Sequence, residues 1–356
     1  MLAALVATAL LVAPASAGAD RHKAIWGPLE VNGVSQFPIY KRLGVGIYQM
    51  SMSWADVAPT QPANPRNPSD PAYAWPPDID RAIVAARRRG IQVSLLLSRT
   101  PGWANGGRSS IWAPNDPADF ADFAAAASRR FPGVRYWMIW GEPSKADRFQ
   151  PLARADGRRL SARQRRGPRR YARILDSSYA ALKKVDRRDL VIGGNTWTAG
   201  EVVPLNFIRA MRLPNGRRPR MDLYGHNPFG ARLPDLREGP LSYGTADFSD
   251  LDTLARWLDR YGYRDARRRP LKLFLSELTL PTDHENHEFN FWLTRETQAR
   301  WLGAALRIAR RFKRIYTLGY LGLYDEAPRA DGLEINRGLL TWSGAKKPAY
   351  YTFMRG

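Results

Sequence analysis

Two glutamates at the ends of apolar segments are the strongest chemical signal in this sequence of 356 residues. Glu142 follows the apolar run at residues 136–140, and Glu277 follows the run at residues 271–275. Short apolar runs bounded by turn residues are typical of buried parallel strands that hand over to a loop. If both strands belong to one barrel, the two carboxyl groups share a cleft. Such a pair can hydrolyse a glycosidic bond, with one group acting as acid and base and the other as nucleophile.

Strand-like and helix-like segments alternate along nearly the whole chain, and they predict how these glutamates are positioned. Near-continuous apolar runs predict eight strands, at residues 24–26, 45–50, 92–97, 136–140, 190–193, 221–225, 272–275 and 316–323. Helical spacing predicts helices at residues 78–89, 117–131, 171–185, 204–211, 249–261 and 294–312. This order predicts an α/β fold, the single-domain (β/α)8 TIM barrel, whose active sites lie on the loops after the strands. A doubly wound open sheet also alternates strand and helix, but no Gly-x-Gly-x-x-Gly motif follows the first strand.

The segments around both glutamates are similar to one group of known proteins. The similarity is carried by residues 112–123 (WAPNDPADFADF), 135–143 (RYWMIWGEP), 276–277 (SE), 338–340 (GLL) and 347–353 (KPAYYTF). These segments resemble clan A glycoside hydrolases, especially family 39-like and family 5-like members. In that clan the glutamate after strand four is the acid/base and the glutamate after strand seven is the nucleophile. The resemblance therefore implies these roles for Glu142 and Glu277, in an O-glycosyl hydrolase that retains anomeric configuration and uses no cofactor.

The two roles call for different surroundings. An acid must be held protonated near neutral pH by an apolar or anionic neighbourhood, which we expect around Glu142. A nucleophile must stay ionised through hydrogen bonds or cationic neighbours, which we expect around Glu277. Retention also requires carboxyl groups about 5 to 5.5 Å apart.

Gly141 departs from the clan's pattern, which has Asn immediately before the acid/base. That Asn donates a hydrogen bond to the sugar 2-hydroxyl, and the contact strengthens in the transition state. Three alternatives follow. Asn195 or Asn227 supplies the donor, the sugar presents its hydroxyl differently, or the protein is a barrel that binds carbohydrate without cleaving it.

Polar and aromatic side chains after other predicted strands are candidates for binding the carbohydrate substrate. His226 and Asn227 follow strand six, and we expect them to hydrogen-bond the nucleophile or the sugar. Tyr324 follows strand eight, where many clan members place a tryptophan platform under the reacting sugar. Trp103 and Trp197 follow strands three and five, and aromatic rings stack on the apolar faces of sugars. Packing against the barrel is the alternative role for both tryptophans.

Metal catalysis is the main rival among enzyme mechanisms. His284 and His287 stand at i and i+3 beside Asp283, whereas a His-Glu-x-x-His site needs i and i+4 on one helix face. We therefore expect no metal site. The chain has no cysteine, so thiolate ligands and a cysteine nucleophile are excluded.

The formal net charge of +22 is concentrated in part in one segment. Residues 154–173 contain nine arginines and a single acid, Asp156. We interpret the first part as a solvated loop insertion and the second as the start of a helix. The segment is either a surface feature without a specific ligand or a means of electrostatic association with an anionic cell-wall polymer. It lacks the interleaved aromatic residues of a platform for single strands, so we expect no specific nucleic-acid partner.

The first residues have the pattern of an export signal. An apolar run at residues 2–12 precedes Pro14 and Ala15-Ser-Ala17. The run is too short to span a bilayer of about 30 Å, and the small residues fit a cleavage site. The sequence therefore predicts a signal peptide at residues 1–17, one domain at residues 18–356, a secreted protein and no membrane span. A buried N-terminal helix is the alternative.

Overall fold

The computed structural model describes residues 22–356, and the predicted signal peptide lies outside the described residues. Eight parallel strands form the fold: β1 (His22–Trp26), β2 (Val45–Ser53), β3 (Gln92–Ser98), β4 (Val134–Ile139), β5 (Leu190–Trp197), β6 (Leu223–Asn227), β7 (Lys272–Leu275) and β8 (Ile315–Leu321). They close into a barrel, in which β1 pairs with β8 on one side and with β2 on the other. The predicted (β/α)8 barrel is confirmed, because a doubly wound sheet would leave two open edges.

Helices connect the strands and cover the outside of the barrel. Within residues 22–356 they are α1 (Phe37–Arg42), α2 (Trp54–Val57), α3 (Pro77–Arg87), α4 (Gly102–Asn105), α5 (Pro117–Arg130), α6 (Ala162–Val185), α7 (Pro204–Ala210), α8 (Leu251–Arg260), α9 (Arg295–Arg311) and α10 (Pro348–Arg355). A short hairpin (Glu30–Val31 with Val34–Ser35) and a 3-10 turn (Phe248–Asp250) complete the elements. No helix in this part of the chain is long and apolar enough to cross a membrane.

Helix α6 begins earlier than residue 171, the predicted start. Ser161 caps it through a reciprocal capping box, in which its hydroxyl accepts from the Gln164 amide and the Gln164 side chain accepts from the Ser161 amide. Pro168 lies inside the helix. A proline there removes one backbone hydrogen bond, which is why the sequence pattern favours a start beyond it. Most of the arginine-rich segment is therefore helical.

The barrel interior is filled with side chains. One buried cluster lies there, formed by Ala24, Ile47, Tyr136, Met138, Ile192, Leu223 and Phe274. The hydroxyl groups of Tyr136 and Tyr316 are 2.9 Å apart. A packed interior leaves the loops at the C-terminal ends of the strands as the place for a site.

Candidate active site

Glu142 and Glu277 line one cavity of about 320 Å³. Glu142 lies just beyond β4 and Glu277 just beyond β7. The other lining residues lie at or after the ends of β1 to β4: Trp26, Ser51, Ser53, Leu96, Ser98, Arg99, Trp140, Gly141 and Arg148. The structure thus brings the two predicted carboxyl groups into one cleft at the C-terminal face of the barrel.

The backbone around Glu142 is strained. Trp140 has φ +65° and Glu142 has φ +47°, in the left-handed region that residues other than glycine rarely adopt. This is why β4 ends at Ile139 rather than at residue 140, the predicted end. The Trp140 carbonyl accepts a hydrogen bond of 2.7 Å from Asn195 Nδ2, and the Trp140 indole donates one of 3.0 Å to the Arg148 carbonyl. These contacts hold the turn that points Glu142 into the cleft.

Asn195 reaches the Trp140 carbonyl from an irregular part of β5. Gly194 and Asn195 have φ +86° and +45°, and the register with β6 shifts at this point, as in a β-bulge. Gly225 provides the room, since a Cβ there would lie 1.8 Å from Asn195 Oδ1. Asn195 is 2% exposed. It therefore positions the β4 turn, and the structure does not support its predicted role as a donor to the sugar.

Glu142 is surrounded by polar and cationic partners. Asn227 Nδ2 donates to Glu142 Oε1 over 3.1 Å, and Lys145 Nζ lies 3.2 Å from Glu142 Oε2. The same ammonium lies 4.9 Å from the ring centroid of Trp197. This differs from the apolar or anionic neighbourhood expected for the acid. Asn227 contacts the Glu142 carboxyl group directly, whereas Trp197 contacts Lys145, which in turn contacts Glu142.

Hydrogen bonds fix the backbone immediately before Glu277. The Ser276 carbonyl accepts hydrogen bonds from the Trp26 indole (3.1 Å) and from Gln49 Nε2 (2.9 Å). Gly319 on β8 permits this arrangement, because a Cβ there would lie 2.2 Å from the Ser276 oxygen. Glu277 thus leaves β7 at a fixed point opposite Glu142.

The pKa of Glu277 is raised to about 8 by burial and, second, by the negative charge of Glu142. Arg148, Arg337 and Lys145 oppose this rise. Near neutral pH Glu277 is therefore protonated, whereas the resemblance implies an ionised nucleophile at this position. Because the charge of Glu142 contributes to this rise, the ionisation of Glu277 depends on the charge of its neighbour in the cleft.

Replacing Glu277 by Gln should stabilise the protein, and more so at alkaline pH. The unfolded chain releases this proton near the ordinary value of about 4.5, and the folded chain retains it to about pH 8. The folded state binds more protons between these values, so stability falls as the pH rises through them. We expect the gain from Glu277→Gln to grow by about 4 kcal/mol between about pH 5 and about pH 9, measured by urea unfolding. Glu201→Gln, at an exposed position, is the matched control. The same pH dependence in wild type and Glu277→Gln would contradict the raised pKa.

Gly141 lines the cleft directly before Glu142. A Cβ at this position would lie 3.0 Å from Leu96 Cδ2, the tip of a flexible side chain. The residue lies outside the left-handed region, in contrast to its two neighbours. The glycine therefore presents no side chain to the cleft at the position where the clan has Asn.

His226 lies away from the cleft and is fully buried. Its Nδ1 is 2.9 Å from Thr196 Oγ1, and its Nε2 is 2.9 Å from the Ala246 carbonyl. Burial lowers the pKa of the imidazole to about 4. Both ring nitrogens are occupied by structural partners, so the structure does not support the predicted contact with the nucleophile or the sugar.

Trp103 and Tyr324 are not among the residues that line the cleft. The Trp103 indole donates to the Ala58 carbonyl over 2.9 Å and packs edge-on against Trp54 at 5.3 Å. The Tyr324 hydroxyl donates to Gln36 Oε1 over 2.7 Å. Trp103 therefore packs against the barrel, which was the alternative to binding the sugar. Trp26 supplies an aromatic wall of the cleft.

Trp26, Arg99 and Arg148 are among the lining residues that the sequence prediction missed. Trp26 ends the first strand and Arg99 follows the third. Position at the C-terminal end of a strand, which pointed to the two glutamates, therefore also points to these two residues. Arg148 lies within a loop that has no recognisable pattern. Arg99 has φ +67° and makes no ion pair with any residue in the described range. It brings to the cleft a positive charge that is not engaged in an ion pair.

The histidines considered for a metal site have other partners. His284 Nε2 lies 3.2 Å from Glu334 Oε1, and His287 Nε2 lies 3.0 Å from Glu326 Oε2. Residues 22–356 contain no group of three or more His, Cys, Asp or Glu side chains placed to hold a metal ion.

The comparisons with known proteins support the fold. No protein-family model and no curated protein matches the chain. Among solved structures it is similar to a family 39 glycoside hydrolase from Bacteroides cellulosilyticus WH2, with TM-score 0.66 and 16% identity over 94% of this chain and 62% of that chain. A glucosidase from Croceicoccus marinus gives TM-score 0.63 and 14% identity over 95% and 67%. A monomeric β-xylosidase from Caulobacter crescentus CB15 gives 0.58 and 15% over 94% and 67%.

This chain thus spans about three fifths of the length of the first of these structures. Identities this low establish a shared fold rather than a shared substrate. The expected structural resemblance to family 39 glycoside hydrolases is confirmed at the level of the barrel.

Proposed function

We propose that this protein is an O-glycosyl hydrolase that cleaves a polysaccharide or oligosaccharide by a retaining double displacement. The observation that carries the proposal is the shared cleft, in which burial and, second, the charge of Glu142 raise the pKa of Glu277. Two interacting carboxyl groups at the C-terminal face of a barrel are the equipment that this reaction needs. The likeness to family 39 barrels supports the same reaction class.

The proposed reaction has two steps. Glu277, ionised, attacks the anomeric carbon while Glu142 gives its proton to the leaving oxygen, so the glycosidic bond breaks as an ester bond to Glu277 forms. Glu142, now ionised, takes a proton from water, and the water oxygen displaces Glu277 from the anomeric carbon. Two inversions restore the original configuration. The single-proton transfer from Glu277 to Glu142 precedes the first step.

A panel of substrates tests this proposal. It includes aryl β-xylosides and aryl glucosides, because a β-xylosidase and a glucosidase are among the similar structures. It also includes aryl uronosides, because Arg99 and Arg148 line the cleft. We expect released aglycone with at least one member, a first-formed sugar of unchanged anomeric configuration by NMR, and no release by Glu277→Gln. Inverted product would contradict the double displacement, and inactivity on the whole panel at every pH would contradict the function.

A second candidate is a barrel that binds carbohydrate without cleaving it. Two features favour it. Gly141 stands where the clan has the Asn that donates to the sugar, and Lys145 forms an ion pair with Glu142, the proposed acid. It predicts heat on titration with oligosaccharides but no new reducing ends. Any turnover that Glu277→Gln abolishes rules it out.

Export is proposed from residues 1–17 alone. N-terminal sequencing of protein recovered from culture medium tests it, and we expect the mature chain to begin at Gly18. Recovery only from the cell interior would contradict export.

A further inference from the structure

A second cavity, of about 510 Å³, lies between helix α6 and the loop that follows β3. Six arginines line it: Arg108, Arg163, Arg166, Arg169, Arg170 and Arg173. No Asp or Glu is among its lining residues. We call it the arginine pocket.

The regular spacing of α6 builds most of this pocket. Arg163, Arg166, Arg170 and Arg173 recur at intervals of three and four residues, which places them on one face of a helix. The helix comes close to the loop after β4 at Gly167, where a Cβ would lie 2.4 Å from the Pro151 carbonyl oxygen. This approach brings the arginine face against the loops and makes a concave site rather than a flat basic surface.

The opposite wall is a stacked pair. The Arg108 guanidinium lies 4.7 Å from the ring centroid of Trp112. A guanidinium fixed on an indole face keeps its N–H edges available to an oxyanion. The pocket thus offers donors from two sides.

The six guanidinium groups form no ion pair within residues 22–356. Arg232 shows the contrasting case, since it contacts both Asp247 (2.7 Å) and Asp250 (3.1 Å). In the pocket, burial and then repulsion from Arg173 and Arg166 lower the pKa of Arg170, against a weaker attraction from Asp116. No residue of the described part of the chain forms an ion pair with these arginines, and Asp116 offsets their charge only weakly.

The loops that line the pocket also line the active-site cleft. The loop after β3 carries Arg99 in the cleft and Arg108 in the arginine pocket. The loop after β4 carries Glu142 in the cleft and Pro151 in the arginine pocket. A parallel bridge between Trp112 and Gln150 joins the two loops, with the Gln150 amide donating to the Ile111 carbonyl over 2.8 Å. One polymer chain that crosses these paired loops would contact both sites.

We propose that the arginine pocket binds the acidic groups of an anionic polysaccharide. Guanidinium groups pair with carboxylate or sulfate oxygens through two parallel hydrogen bonds, and several such groups around one cavity hold adjacent charged sugars. The choice of a glycan rests on the proposed function, whereas the binding of an oxyanion does not. Nucleic acid fits less well, because single-strand platforms need several free aromatic faces and Arg108 covers that of Trp112.

Matched double variants test the pocket against the basic segment as a whole. Arg166→Gln/Arg170→Gln removes two positive charges from the pocket. Arg159→Gln/Arg165→Gln removes two exposed charges from the same segment outside it. Both are made in the Glu277→Gln background, so binding is scored without hydrolysis. The probes are polygalacturonate, dextran sulfate, neutral dextran and an oligo-dT strand, titrated calorimetrically at several salt concentrations.

We expect the parent to bind polygalacturonate or dextran sulfate, and the stronger of the two identifies the acidic group. The pocket variant should lose about tenfold or more in affinity and have a shallower salt dependence, while the control loses less than about threefold. Both variants should unfold at the parent's urea midpoint. Equal losses in the two doubles, binding to oligo-dT as tight as to the better glycan, or no binding to any polyanion would overturn the proposal. Binding without any hydrolysis by wild type contradicts the proposed function alone.

Discussion

Glu277→Gln is expected to lower the rate of hydrolysis by at least about 10⁴-fold on every substrate, whatever its leaving group. An amide cannot form the ester bond to the anomeric carbon, so no covalent intermediate arises. The loss should appear in kcat and in kcat/KM alike, because the interaction that is removed is made only in the transition state. Initial rates on aryl glycosides that span a range of phenol acidities measure it.

Glu142→Gln should behave differently, because its proton matters only when the leaving group needs one. A loss of about 10²- to 10⁴-fold is expected on oligosaccharides, whereas a dinitrophenyl glycoside should still form the intermediate at near-normal speed. Water would then react slowly without its base, giving a burst of phenol followed by a slow steady state. Added azide, which needs no base, should restore turnover in this variant and not in Glu277→Gln.

Glu201→Gln is the control for both substitutions. Glu201 is exposed, and its Oε2 accepts a hydrogen bond of 3.3 Å from the Ala146 amide without lining the cleft. Its activity should stay within about twofold of wild type, as is usual for surface changes. Near-normal hydrolysis by Glu277→Gln, or the same leaving-group dependence in both cleft variants, would contradict the assigned roles.

Lys347→Met is expected to destabilise the fold by about 3 to 5 kcal/mol, which urea unfolding at neutral pH measures. The Lys347 side chain has no exposed surface, and its ammonium lies 3.0 Å from Asp325 Oδ1. The same ammonium donates to Thr282 Oγ1 and to the Asn336 carbonyl, each over 2.9 Å. Methionine would leave the buried Asp325 carboxylate without its cationic partner, with only the Gly338 amide still donating to Oδ1.

Two comparisons separate this effect from a loss of packing. Asp325→Asn/Lys347→Met removes both charges and should recover part of the lost stability, because no uncompensated charge remains. Arg81→Met breaks the pair with Asp78, in which both side chains are 57% exposed, and should cost less than about 1 kcal/mol. A cost for Lys347→Met no larger than that for Arg81→Met would show that the buried pair does not contribute as argued.

The barrel and the place of its two glutamates could be predicted because they depend on periodicity. Apolar runs that alternate with amphipathic segments specify eight strands and their helices, and position after a strand specifies the face on which a side chain lies. The prediction fails where local conformation overrides this pattern. Trp140 leaves the strand through a positive φ, and α6 continues through Pro168 because a capping box stabilises its start.

Side-chain direction was less predictable than position. His226 and Asn227 are neighbours after the same strand, yet the first is buried against Ala246 and the second contacts Glu142. Successive residues of a strand point to opposite faces, so one of any such pair must turn away from the cleft. Asn195 turns away for another reason, since the β5 bulge directs its amide to the Trp140 carbonyl.

The surroundings of Gly141 make substrate preference separable from catalysis. Trp140 and Glu142 adopt strained backbone that tolerates little change, whereas the glycine between them does not. The nearest obstacle to a new side chain is the mobile tip of Leu96. A library at position 141, with Leu96 shortened alongside, would therefore alter the part of the cleft next to the sugar while both carboxyl groups keep their supports. Under the proposed function, position 141 is where substitution can change the glycan that the cleft accepts at little cost to the fold.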